Sequence, residues 1–307
     1  MAKTGRRSRE PELRILKTGL SIFFLLASLV LPNFLKKLTC GFHLARFDVS
    51  HRVENWQEDR SKRSCSFVNP EADETVKQIL SQPFSYLGRG AQCYAFEAQD
   101  GQFVIKIFHE NREIFPFYAW KKQFRKKSPR PKHSLRGSDF EACTIAYEKA
   151  QEETALLYIH LLASDNKLPS LQARDPIGRS VKLPLDHCVF VLQKKLEPFR
   201  SSLIKASLDG NLSPYLSSFF SLIESRTAKG IRNADPRLEP NFGFLHERAI
   251  ELDFGRYILD QNSLTSEFQV VEREKFISEL RKFMQLELPH EMKKFEETLA
   301  EFRARML

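Results

Sequence analysis

Three side chains in Gly230–Tyr257, GIRNADPRLEPNFGFLHERAIELDFGRY, could do metal and proton chemistry together: Asp235, Asn241 and Asp253. Carboxylate and amide oxygens suit a hard cation such as Mg²⁺, which seeks oxygen ligands. Asp253 stands at the end of a short apolar run, before Phe254-Gly255, where a strand end can deliver it into a cavity. Asn241 supplies a neutral oxygen, and Asp235 could accept a proton from a hydroxyl. Asp-Pro and Pro-Asn pairs also make ordinary turns, the plain alternative for 235 to 241.

Upstream, Gly88-Arg89-Gly90 forms a turn of small residues whose backbone N–H groups could approach phosphate oxygens closely. Lys106 lies inside the apolar strand Phe103–Phe108, a costly place for an ammonium without a partner. A carboxylate on the following helix could hold it. Glu153 is the first choice because it precedes Leu156 and Leu157 on the packed side; Glu152 and Glu148 are the alternatives.

The elements that must position these residues follow from periodicity. TVKQILSQP reads as a short helix stopped before Pro83. Strands flank Asp100-Gly101, a hairpin signal. Ser138-Asp139 can cap a long helix running through FEACTIAYEKAQEETALLYIHLL, with one face at 143, 146, 147, 150, 154, 157 and 161. HCVFVLQKKL is an apolar strand leading to Pro198. SPYLSSFFSLIESRTAKG is a helix with Ser213 as cap and Gly230 beyond its end. NFGFL and RAIELDF are two short strands, and the tail from about Glu272 is helical with a break at Pro289.

In order, over roughly residues 80 to 260, this set resembles the protein-kinase-like superfamily. The phosphate loop is matched by Gly88 and Gly90, and the strand lysine by Val104-Ile105-Lys106. The interlobe hinge falls near Leu192–Leu196, the catalytic loop at Asn233-Ala234-Asp235 through Asn241, and the metal motif at Asp253-Phe254-Gly255. The resemblance implies an α+β, two-lobed fold with a β-rich N-lobe and a reduced helical C-lobe. It implies ATP and Mg²⁺ as cofactors. Lys106 would grip the phosphates, Glu153 would orient it, and Leu192 would line the nucleotide site. Asp235 would be the catalytic base, with Asn241 and Asp253 holding the metal. Cys93 replaces the third loop glycine, Asn233-Ala234 replaces the usual His-Arg, and Asn241 follows Asp235 by six positions rather than five. No Ala-Pro-Glu follows, and 52 residues remain after Gly255. These departures point to an atypical kinase or a pseudokinase.

Composition frames this reading. With 307 residues, 42% apolar and 28% charged, the chain can bury a real core. A net charge of +9 favours anionic partners without choosing among them. Cys40, Cys65, Cys93, Cys143 and Cys188 have no zinc-type spacing and read as mostly reduced thiols. Six Lys/Arg lie in residues 1–17, a basic segment, and Thr18–Leu35 is an uncharged run of 18 residues closed by Lys36-Lys37, read as an uncleaved transmembrane anchor. Residues 36–75 read as a tether, 76–192 as the N-lobe and 193–307 as the C-lobe with a helical tail. The insertion 111–137 is rich in Lys and Arg with aromatics between them. It reads as a solvated loop, with contact to anionic lipid as the sharper alternative and nucleic acid ranked last. The positive-inside rule weakly favours an exported body, whereas ATP use in a bacterium places it on the cytoplasmic membrane face.

Overall fold

The structure is a computed structural model and describes residues 31, 34, 35, 37–47, 69–109, 137–260 and 265–305. The expected anchor falls almost wholly outside them, as do most of the basic insertion and Cys65. Among the described residues no helix is long and apolar enough to cross a membrane.

Helix α1 (Glu74–Ser81) begins where Asp73 accepts a hydrogen bond from Val76 N (2.7 Å), and it buries Val76, Ile79 and Leu80 at helical spacing. Pro83 follows it. Strands β1 (Phe84–Arg89), β2 (Cys93–Ala98) and β3 (Phe103–Phe108) then form an antiparallel meander. At its second turn Gln102 N donates to Asp100 Oδ1 (2.9 Å) and Gly101 takes φ +71°, a conformation that favours glycine. Helix α2 (Gly137–Lys149) and the single turn α3 (Gln151–Thr154) lead to β4 (Leu156–His160). The hairpin β5 (Ser170–Arg174) and β6 (Ser180–Pro184) precedes β7 (Phe190–Lys194). The seven strands make one sheet in the order β4-β7-β3-β2-β1-β5-β6.

The long helix expected over 140–162 is therefore shorter. It stops at Lys149, Ala155 takes φ 50°, and the chain leaves as strand. The apolar run LLYIH fits helix or strand by composition, and pairing of β4 with β7 decides for strand. The stretch expected as a tether is partly docked: Phe42, Phe47 and Ala72 are buried, and both Tyr94 Oη (2.8 Å) and Arg89 Nη1 (2.6 Å) donate to Cys40 O.

Strand alternation gives the sheet two faces. Tyr94, Phe96, Ile105, Ile107, Phe190 and Leu192 pack on one face, under α1 and the β5–β6 hairpin. Lys106 points to the other, opposite Ala95 on β2 and Val191 on β7.

Beyond Lys195 and Leu196, β8 (Glu197–Pro198) joins the hairpin β10 (Phe242–Leu245) and β11 (Arg248–Glu251). Helices α4 (Phe199–Leu208), α5 (Leu212–Ala228), α6 (Ser266–Glu287) and α7 (Met292–Ala304) pack around it. The core there is built on phenylalanine; Phe219 and Phe242, for instance, meet edge-on at 5.3 Å. Strands β9 (Ile231–Asn233) and β12 (Tyr257–Leu259) form a separate ribbon. A third cluster joins α2, Val191 and this ribbon through Phe140, Cys143, Ile231, Phe254 and Tyr257. The arrangement is α+β, a seven-stranded sheet followed by a helical half.

The closest backbone approach in the helical half is at Gly243. A Cβ there would lie 2.7 Å from Glu197 O and 3.0 Å from Leu196 Cβ. Gly243→Ala should therefore force β8 off β10 and cost about 1–3 kcal/mol, read as a lower midpoint in urea unfolding at unchanged slope.

Candidate functional site

The loop that carries Asp235 is fixed from below by buried charges. Arg226 on α5 is fully buried, and its Nη1 donates to both carboxylate oxygens of Glu251 at 2.9 Å. Its Nη2 reaches Glu272 Oε1 on α6 at 3.2 Å. Asn233 joins the same carboxylates: Nδ2 donates to Glu251 Oε1 (2.5 Å) and its backbone N to Glu272 Oε1 (3.0 Å). Tyr257 Oη donates to Glu251 Oε2 (2.7 Å), and Lys275 Nζ to Asn233 O (2.6 Å). Burial alone would lower the Arg226 pKa, but Glu251, Tyr257 and Glu272 together hold it above its ordinary value. Burial and Glu251 push the Tyr257 phenol well up. So Asn233, which stands where the resemblance expects a catalytic-loop His, joins the network that positions the loop.

Asn233 Oδ1 then accepts from Asp235 N (2.8 Å) and sets the turn. The Asp235 carboxylate receives Arg237 Nε (2.9 Å) and Nη2 (2.5 Å). These bonds, with a contribution from the Asn241 amide, hold its pKa down at about 2 despite partial burial. Asn241 O accepts from Leu252 N (2.6 Å) and Asp253 N (3.2 Å), so the hairpin places residues 241 and 253 side by side. Asn241 is fully buried, and its side-chain amide lies near the Asp235 carboxylate, but among the described residues neither amide atom makes a well-formed hydrogen bond. Buried amides are almost always well paired, so this one asks for a physical reason. Asp253 is exposed, its Oδ1 accepting from Gly255 N (3.0 Å), while Phe254 is buried against α2.

Lys106 reaches this hairpin from the sheet, its Nζ donating to Leu252 O at 2.7 Å. Burial pushes its pKa down, and Cys93, Asp253 and Cys143 nearby act in the other direction. Thus Lys106, Asp253, Asn241 and Asp235 converge.

Two expected members stand elsewhere. Glu153 is buried, but it accepts Ser225 Oγ (2.5 Å) and Lys229 Nζ (2.6 Å), tying α3 to α5; the Lys106–Glu153 pair is not formed. Glu148 and Glu152 are exposed. The end of α2 at Lys149 sets Glu152 and Glu153 on a separate turn. Leu192 is also displaced: opposite Ile105, it lies fully buried in the core on the far face from Lys106. Val191 and Gln193 share the lysine's face instead.

The turn glycines are open. A Cβ on Gly88 would meet nothing within 4 Å, and one on Gly90 only Cys93 at 3.6 Å or more, so no protein contact demands glycine at either position. Gly90 N donates to Cys93 O (2.9 Å). One acid that the sequence reading gave only a capping role is Asp139. It is buried in the first turn of α2, accepts from Gln92 Nε2 (3.2 Å) and ties the glycine turn to the helix. Its signal was the adjacent Ser138, which made capping the obvious role.

The donor set fits a hard cation. Among the described residues no group of three His, Cys, Asp or Glu forms a protein cage. Asn241 Oδ1 and the Asp253 carboxylate leave the remaining positions to phosphate and water, the usual arrangement for Mg²⁺ at nucleotide sites.

No protein-family model matches the chain, and no curated protein matches it. Similar solved structures include WbdD with the kinase inhibitor LY294002, at 12% identity and a TM-score of 0.36, covering 70% of this chain and 45% of that one. A structure of the bifunctional kinase-methyltransferase WbdD has 13% identity and a TM-score of 0.32, covering 70% and 42%. A 2.2 Å WbdD structure has 13% identity and a TM-score of 0.33, covering 72% and 45%. The chain spans less than half the length of these proteins, and likeness at these scores carries no weight for activity.

Two outcomes follow from the loop's supports. Arg226→Ala leaves buried Glu251 without its cation and Glu272 with Lys275 alone, and should cost about 3–5 kcal/mol in urea unfolding. Arg237→Ala should return the Asp235 carboxyl from about 2 toward the ordinary value of roughly 3.9, read by NMR titration. Because the folded pKa is depressed, the stabilisation from Arg237 is present above pH ~4 and is lost as pH falls toward 2. The wild-type advantage over the variant should shrink across that window.

Proposed function

We propose that this chain is an ATP- and Mg²⁺-dependent phosphotransferase of atypical kinase-like type. Its acceptor would be a hydroxyl on a protein, a small molecule or a lipid-linked sugar. The observation that carries the reading is Asn241: a fully buried amide near Asp235 that makes no well-formed hydrogen bond among the described residues, on a residue whose backbone is bonded to Asp253. A bound Mg²⁺ would neutralise charge on the phosphates. Asn241 and Asp253 would hold it. Lys106 would leave Leu252 O for a phosphate oxygen, the stronger acceptor for an ammonium. Gly88 and Gly90 would let backbone N–H groups close over the phosphates. Asp235 would orient the acceptor hydroxyl and take its proton late, because a carboxylate this acidic is a weak base. Arg237, with its side chain 68% exposed, would shift from Asp235 toward the transferring group. The N-terminal apolar segment would anchor the body to a membrane, on the cytoplasmic face if the source is bacterial, and the basic insertion would meet anionic lipid there.

The Arg237 clamp on Asp235 also favours a second reading, a pseudokinase that binds nucleotide or a partner without turnover. In either case the thermal midpoint of the full chain should rise with Mg-ATP but not with ATP plus EDTA. At a hundredfold excess over Kd the gain is about 2.7 kcal/mol, a shift of several degrees. Asp253→Asn and Lys106→Ala should remove it. A Mg²⁺-dependent shift with no slow consumption of ATP assigns the second reading; no shift in a folded sample overturns both.

A further inference from the structure

The ribbon beside the catalytic loop has an outward face that the nucleotide chemistry does not use. In the antiparallel pair of β9 and β12, Tyr257 lies opposite Asn233, Ile258 opposite Arg232 and Leu259 opposite Ile231. Ala234 N donating to Arg256 O (3.3 Å) carries the pairing one step further, to the residue before Asp235. Side chains alternate across such a pair. Ile231, Asn233 and Tyr257 turn inward and are buried. Arg232, Ala234, Arg256 and Ile258 therefore share the outer face. Arg256 and Ala234 are exposed, Arg232 is half-buried, and Ile258 is 42% exposed.

This face holds two guanidiniums, and Asp260, whose N donates to Gly230 O (3.2 Å), ends it beyond Ile258 with a single carboxylate. Among the described residues neither Arg232 nor Arg256 has an acidic partner, and Arg232 Nε is buried without any hydrogen-bond partner. Their positions are diagonal neighbours, a spacing of roughly 7–8 Å between Cα atoms in such a pair. Two unpaired cations this close repel, and an anion set between them removes that cost. A carboxylate offers two oxygens, enough for one bidentate guanidinium, whereas a phosphate monoester offers three and can serve both.

We propose that this face docks the acceptor, and that the acceptor carries its own phosphate group. Arg232 and Arg256 hold that phosphate, Ile258 takes the adjoining apolar part, and a hydroxyl of the same molecule is presented at Asp235. This rests on the phosphotransferase reading. The phosphate could belong to a soluble phosphate ester or to a lipid headgroup, and the chemistry at the two arginines is the same.

Calorimetric titrations of the full chain in neutral detergent, without nucleotide, test it. The probes are glycerol 3-phosphate and dioctanoyl phosphatidic acid, with glycerol and dioctanoylglycerol as their neutral twins. At least one phosphate-bearing probe should bind while its twin does not, and which one binds tells the soluble source from the lipid one. Arg256→Gln, an exposed position, should weaken binding about tenfold or more, and Arg232→Gln with Arg256→Gln should remove it. The Mg-ATP midpoint shift should be unchanged in Arg256→Gln. The proposal falls if neither probe binds the wild type, or if binding survives undiminished in a folded Arg256→Gln protein and disappears in Lys106→Ala instead. A wild type that shows no Mg-ATP shift sinks the phosphotransferase reading whatever the probes do. Failed probes with the shift intact sink the docking face alone.

Discussion

The ion pair between Arg226 and Glu251, with Glu272 as third member, is the constraint on which the helical half is arranged. All three side chains are essentially removed from water. Charges in that position persist only when paired and hydrogen-bonded, and removing one partner is far more costly than the pair's net worth. The network brings α5, α6 and β11 to one point, and Asn233 and Tyr257 add the β9–β12 ribbon. Phe276, whose ring lies 4.4 Å from the Arg226 guanidinium carbon, closes it from the apolar side. The loop that follows Asn233 thus leaves a rigid base.

Above this charge-paired layer stand polar groups with fewer partners. Asn241 has its backbone carbonyl doubly bonded, while its side-chain amide makes no well-formed bond among the described residues. Lys106 spends its ammonium on a backbone carbonyl although burial disfavours its charge. Gly88 faces open space. Leaving the Asn241 amide without a well-formed bond costs stability, as is usual where a ligand is to complete the pairing. The rigid base and the layer above it are joined by two residues, Leu252 and Asp253, whose N–H groups both bond Asn241 O.

Much of this was legible because it is local. Asp100-Gly101 specifies its hairpin, Pro83 stops α1, and the apolar pairs around His246-Glu247 specify β10 and β11. Asp235, Asn241 and Asp253 were visible as a group because turn residues and a strand end bracket them in one short stretch. What was not legible depends on contacts distant in sequence. The run LLYIH is strand only because β7 is there to pair with it. Once α2 ends at Lys149, Glu153 turns to Ser225 and Lys229, and no reading of helical spacing could find that. Leu192 required the register against Ile105 to show that it faces the core. The Arg226 network spans residues 226 to 275, and each member alone looks like an ordinary surface charge.

Central to the account is that the Asn241 amide is reserved for a bound cation. Asn241→Leu removes the amide at similar volume, so urea unfolding of this variant beside its Mg-ATP midpoint shift is the most direct measurement. The account predicts a free protein that is no less stable, or more stable by about 1–3 kcal/mol once a poorly bonded buried amide is gone, together with loss of the Mg²⁺-dependent shift. A variant that is clearly less stable and keeps the full Mg-ATP shift would contradict it, and Asn241 would then be a structural residue of the hairpin.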